Sequence, residues 1–279
     1  MSADLFRNVV VDPQRQAKMR KRPAAKTSYV IHFTPRSGSS WLTDIIAATG
    51  RLSAANEAFN PSFIPKIAQA LNATDMDSYI QMLLRRFNTH GVYGVEVTAH
   101  QINAVFRNYA AFHRYFGAAP CFWLVRQDIA AQAVSLAKMV TTNVAHTKGP
   151  DAETRQSADQ RFVYDAALIK RWLKHIHAAE VASETWFAEY GLTPLRMSYE
   201  QTTRLSPLQM VNVIARHLGL PDIAPMAFAT QHGKLGTDQN TSFADRFREE
   251  EAAFMADINA QRGPMLARLD PIGGTVVDL

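Results

Sequence analysis

Four short apolar runs punctuate a chain that otherwise repeats its apolar residues every three or four positions. The runs cover residues 29–33, 93–97, 121–125 and 195–199 and are rich in β-branched and aromatic side chains, as buried strands are. Between them the spacing predicts helices. One opens near Trp41, and two lie within 65–88 (Ile67 and Leu71, then Ile80, Leu83, Leu84 and Phe87), broken near 72–77. An aromatic-rich helix carries Phe106, Tyr109, Phe112, Tyr115 and Phe116. Further on come 128–140 with Asp128 as its N-cap, 162–190 with Gly191 at the C-cap position, 207–218 ending at Gly219, and 243–263.

Polar or proline-bearing stretches fill the gaps. Residues 51–66 hold Asn60-Pro61 and Pro65 and read as an ordered crossover loop; 141–157 and 228–242 read as polar loops. Strands alternating with helices predict an α/β fold with three layers, α/β/α, around a mostly parallel sheet. The first 27 residues, with Arg15, Lys18, Arg20, Lys21, Arg22 and Lys26, read as a loose basic arm; residues 28–279 form a single domain.

Composition sets outer bounds. A hydrophobic fraction of 47% and 10% aromatics supply a packed core for 279 residues. The net charge of +5 suits an anionic ligand without calling for nucleic acid, since no RNP-type strand, zinc-finger spacing or long basic helix is present. A lone cysteine, Cys121, sits in an apolar run and excludes an intrachain disulfide framework. With no apolar run long enough to span a bilayer and no apolar signal-peptide core, these features point to a cytoplasmic, soluble protein.

The densest chemistry lies where the first strand gives way to its helix, at Pro35-Arg36-Ser37-Gly38-Ser39-Ser40-Trp41. A strand, a small-residue loop and a helix N-terminus form an anion cradle, because backbone N–H groups without intrahelical partners point out of the positive end of the helix. Gly38 lets the backbone approach an anion, while Arg36 and the hydroxyls of Ser37, Ser39 and Ser40 add charge and donors. No Gly-Lys-Ser/Thr triplet is present, which argues against an ordinary nucleoside triphosphatase. Arg126 leaves the third strand and Ser135 follows within the next helix, so both face the carboxyl edge of the sheet, where such folds bind ligands.

PRSGSSW resembles the 5′-phosphosulfate loop of sulfotransferases that use 3′-phosphoadenosine 5′-phosphosulfate (PAPS). Arg126 with Ser135 resembles their 3′-phosphate site. The run RQDIAAQAVSL over 126–136 is similar to the corresponding segment of the bacterial trehalose 2-sulfotransferase-like family, and the likeness extends over residues 28–250. It implies a P-loop NTPase-like sulfotransferase fold and PAPS as cofactor, with no metal. The donor would be held by Arg36, Ser37, Gly38, Ser39, Ser40, Trp41, Arg126, Ser135 and Tyr199. The sulfuryl group would pass to a hydroxyl of a carbohydrate, glycolipid or lipopolysaccharide-type acceptor, a small molecule or a glycan. A homodimer, and a contact of the basic arm with an anionic surface, are compatible with it.

That family carries its catalytic base twenty-one residues beyond the loop arginine, which here is Glu57. An acceptor hydroxyl is a poor nucleophile at neutral pH, and a carboxylate in reach takes its proton as the new S–O bond forms. Arg36 and Glu57 are therefore the expected catalytic pair. Two departures bear on the acceptor: Glu96 stands where the family strand has Lys, and a Trp-bearing segment reads Thr142-Asn143-Val144-Ala145-His146. His100 and His146 are candidate contacts. A P-loop kinase-like phosphotransferase and a PAPS- or phosphate-binding module without catalysis are the alternatives, and Glu57 separates the last from an enzyme.

Overall fold

The computed structural model describes residues 5–144, 152–228 and 237–272. Strands β1 (Thr27–Phe33), β2 (Val92–Val97), β3 (Cys121–Val125) and β4 (Leu195–Ser198) form one sheet in the order β2-β1-β3-β4, every pairing parallel. Every residue of β2 and β3 is buried, as expected of strands covered on both faces. The chain leaves β1 for β2 on one side and returns to β3 on the other. The crevice made by that reversal opens beyond the carboxyl ends of β1 and β3.

Helices cover both faces. Tyr29, Ile31, Phe33, Phe122, Leu124 and Met197 pack under α2 (Ser39–Ala48) and α11 (Pro207–His217) through Leu42, Ile45, Ile46, Met210, Val211 and Ile214. The opposite face, with Val30, Tyr93, Val95 and Val97, lies against α3 (Ile64–Leu71), α4 (Met76–Arg86), α5 (Ala99–Phe106) and α6 (Tyr109–Phe116). Beyond these, α7 (Ile129–Thr142), α9 (Ala166–Glu189), α12 (Asp238–Glu250) and α13 (Ala252–Leu266) share a further apolar cluster around Val134, Leu173, Phe247 and Ile258. A single helical turn, α10 (Tyr199–Thr202), follows directly on β4, capped by Ser198. The result is the three-layer α/β/α arrangement that the alternation of strands and helices predicts.

The loose arm expected over residues 1–27 is corrected for residues 5–26. Asp12 caps α1 (Pro13–Arg20) by accepting from the N–H groups of Gln14 and Arg15. Phe6 and Met19 are buried in the main core, Phe6 edge-on to Tyr79. Val10 and Gln69 exchange two hydrogen bonds, and Arg85 Nη1 donates to the Arg22 carbonyl. Isolated apolar residues in a basic tract leave no periodic signal, yet they fill gaps that later helices leave.

One loop boundary and one helix also differ from the expectation. Residues 145–151 of the expected loop over 141–157 lie outside the described residues, but α8 (Ala152–Arg161) begins within it. That polar helix is tied down by tertiary contacts: Asp159 pairs with buried Lys138, and Thr237 Oγ1 donates to Asp159. The single helix expected over 243–263 is two, α12 and α13, meeting at Glu251. Among the described residues no helix is long and apolar enough to cross a membrane.

Candidate active site

The cradle forms where β1 ends. Arg36 adopts φ +67° and Gly38 φ +89°, and α2 starts at Ser39. A left-handed φ on a non-glycine residue is uncommon and is held only where surroundings impose it. Here the restraint comes from α7: Gln132 Nε2 donates to Thr34 Oγ1 at 2.9 Å and to the Pro35 carbonyl at 2.7 Å. A Cβ on Gly38 would stand 2.6 Å from Cδ2 of Tyr199, the first residue of α10, so only glycine fits beneath that ring. The Ser37 hydroxyl is buried with no hydrogen-bond partner among the described residues. Ser39 is buried and Ser40 and Trp41 are half-buried on the first turn of α2, with Trp41 against the core under that helix.

Arg126 leaves the end of β3 beside this loop. Its guanidinium lies 5.0 Å from the centroid of the Tyr199 ring, and its Nε is 3.9 Å from Glu200 Oε1. Glu200 is occupied elsewhere, accepting the N–H groups of Gln127 and Asp128 at 2.9 and 3.2 Å. Ser135 lies deeper along α7, where its Oγ accepts from Arg36 Nε at 3.0 Å. Ser135 thus bonds the loop arginine, not Arg126, its expected companion. Burial and the neighbouring charge of Arg126 push the Arg36 guanidinium down to about 10, which still leaves it protonated at neutral pH. Two cations held against one glycine cradle are an arrangement that an anion relieves.

Glu57 sits on the crossover loop. Asn56 bridges to Val95, and Glu96 N–H donates to the Asn56 carbonyl at 3.0 Å, so the loop runs beside β2 like a short extra strand. The Glu57 carboxylate accepts from Asn60 Nδ2 at 3.1 Å and from Gln101 Nε2 at 2.7 Å, both on Oε2. Gln101 is itself fixed, because its Oε1 completes a capping box with Thr98 at the start of α5. Beside Glu57, on β2, lies the carboxyl of Glu96, buried and hydrogen-bonded to Ser39.

Reasoning from the sequence placed Arg36, Ser37, Gly38, Ser39, Arg126 and Ser135 at one sheet edge, and the structure brings them together with Tyr199. It did not assign three supporting contacts: Gln132 under the loop, Gln101 behind Glu57, and Glu96, expected on the acceptor side, under Ser39. Of these only Gln101 had a legible signal, the Thr98-x-x-Gln101 capping pattern. His100 stacks on His175 with ring centroids 3.7 Å apart and bonds its carbonyl through Nε2, a contact with α9. His146 lies outside the described residues. Among the described residues no group of three or more His, Cys, Asp or Glu is placed to hold a metal ion.

The family model described as Stf0 sulphotransferase matches residues 28–250, from the first strand to the end of α12. The chain belongs to the Stf0 sulphotransferase family. A relative within reach of this sulfotransferase is the trehalose 2-sulfotransferase of Mycobacterium tuberculosis (strain Erdman), 24% identical over an alignment of 260 residues, the match covering 80% of this chain and 94% of the relative. A sulfotransferase of Alicyclobacillus acidocaldarius, known from its crystal structure, superposes with a TM-score of 0.52 at 15% identity, covering 88% of this chain and 97% of that one. That likeness concerns the fold, and it agrees with the parallel sheet and flanking helices described above.

Proposed function

We propose that this sulfotransferase uses PAPS as donor and moves its sulfuryl group to a hydroxyl of a carbohydrate-type acceptor. The observation that carries the reading is the pairing of Arg36 and Arg126 around the Gly38 cradle, with a buried Ser37 hydroxyl that lacks a partner among the described residues. Such a site fits a ligand with two separate anionic groups. PAPS brings an activated sulfuryl group and a distal 3′-phosphate. Arg36, the loop N–H groups, Ser39's among them, and the hydroxyls of Ser37 and Ser40 hold the phosphosulfate end and the charge that develops there; Arg126 holds the distal phosphate, its guanidinium steadied by Tyr199. Glu57 takes the proton from the acceptor hydroxyl. Gln101 and Asn60 both bond its Oε2, which leaves Oε1 for the proton.

The acceptor class rests on the mycobacterial relative, named for trehalose. The reading keeps to a hydroxyl of a carbohydrate, glycolipid or lipopolysaccharide-type molecule. A buried, unpaired Cys121 thiol suits a reducing compartment, and we place the reaction in the cytoplasm.

Thermal unfolding tests the donor. PAP, the desulfated product, at roughly 100 times its dissociation constant is expected to add about 2.7 kcal/mol, and ATP with Mg²⁺ much less. Equal stabilisation by both would move the site to the kinase-like class.

The two arginines are expected to fail differently. Arg36→Ala lowers both kcat and donor affinity, because the side chain lies beside the transferring group. Arg126→Ala mainly raises the KM for PAPS, because it touches only the distal phosphate. Steady-state kinetics with varied PAPS separates them, and an unchanged KM in Arg126→Ala would place the distal phosphate elsewhere.

A further inference from the structure

Glu96 is the one acid that sits on β2 under the cradle, and the reaction described above gives it no task. The residue is 7% exposed, and it shares a sheet row with Ile31 of β1, on the face covered by α2. It is hydrogen-bonded to Ser39, the first residue of α2. Its Oε2 has no partner among the described residues, so one oxygen of a buried carboxyl is left over. Among the described residues the ionisable groups that act on it are Glu57 from the crossover loop and Tyr29 from β1, and neither is a cation. A carboxylate there would be a buried anion, beside a second carboxylate, at the helix end that gathers anions.

We propose that Glu96 belongs to the donor site as an uncharged carboxylic acid, steadying Ser39 at the mouth of the cradle and expelling the anionic donor when it ionises. The neutral acid costs the cradle no charge, and its spare oxygen can carry the proton. Once ionised, the same group opposes an anion seated on the first turn of α2. Burial, and then the charge of Glu57, raise its pKa to about 8, against the hydrogen bond from Ser39, so the change falls in an accessible range. Glu96 is a positioning residue in this scheme. The idea rests on the donor reading of the preceding subsection.

Calorimetric titration of PAP into wild type, Glu96→Gln and Glu57→Gln between pH 6 and 9 tests it. Comparison with Glu96→Gln cancels the titration of PAP itself. The ratio of the wild-type Kd to that of Glu96→Gln is expected to stay flat up to pH 7 and to climb about tenfold by pH 9, a size set by one added charge near the ligand. Glu57→Gln removes the neighbouring negative charge, so its climb begins at lower pH. Parallel curves for wild type and Glu96→Gln would overturn the proposal, as would loss of PAP binding in Glu96→Gln at every pH. Absence of PAP binding by wild type at all pH values would instead remove the donor reading.

Unfolding without ligand gives a second measurement. An acid whose folded pKa is raised holds a proton that the unfolded chain has lost, so its contribution to stability falls as pH rises from its unfolded value toward about 8. The Tm advantage of Glu96→Gln over wild type is therefore expected to grow between pH 5 and pH 8. A constant difference would mean that native Glu96 is already ionised, and would overturn the proposal.

Discussion

Replacing Glu57 by Gln is expected to lower turnover about 10²–10⁴-fold while PAP affinity stays near wild type, the size of a lost general base. The substitution is nearly isosteric. The carbonyl of the introduced amide can still accept from Gln101 and Asn60, so the loop keeps its anchors and only the proton acceptor disappears. Single-turnover kinetics on an acceptor with measured wild-type turnover, alongside PAP titration, separates chemistry from binding. Near-wild-type turnover would reduce Glu57 to a hydrogen-bonded loop carboxylate, and would place the base elsewhere. His100 is a weak substitute, since its ring is engaged by His175.

This site illustrates what can be read along a chain. The step from β1 through residues 34–38 into α2 was legible because strand periodicity changes to helical periodicity across a glycine that must adopt a positive φ. Asp128 announces its helix through an equally local signal, a side-chain cap. Gln132 under the loop and Glu96 under Ser39 were not legible, because each meets its partner across the sheet, Gln132 from 98 residues away. The first part of α8, up to 157, reads as loop for a similar reason: its own sequence is mostly polar, and Lys138 and Thr237 from elsewhere hold the helix. In α13 the reading stopped short, since Pro264 lies inside a helix that continues to Leu266.

Arg262→Ala is expected to cost about 3–5 kcal/mol of stability, the largest loss foreseen for a single side chain here. Arg262 and Glu180 are 1% and 2% exposed and face each other through two bonds of 2.8 Å. Two further guanidinium donors reach the carbonyls of Gln127 at 2.8 Å and Arg126 at 2.6 Å. Removing the arginine leaves Glu180 without its partner. Burial already pushes that carboxyl up, with Arg262 opposing, so the variant must protonate it or let in water. Two carbonyls at the exit of β3 lose their donors as well. Urea unfolding measures the loss, and the double variant Arg262→Met with Glu180→Gln should recover much of it. A loss below about 1 kcal/mol would mean the pair counts no more than an exposed one. Because those carbonyls belong to the segment that aims Arg126, the single variant should also bind PAP more weakly.

The packing of residues 5–26 has a bearing on how the chain is made. During synthesis this segment emerges before the residues that receive it, since Gln69 and Arg85, which bond Val10 and Arg22, follow 59 and 63 residues later. The pocket for Phe6 does not exist until α4 presents Tyr79. Closing that distance is an entropic cost that local contacts cannot offset beforehand, so docking of this segment falls late in folding. While it waits, the charged side chains around Met19 keep a stretch with few apolar residues in water, and it joins the core once the helices that receive it have formed.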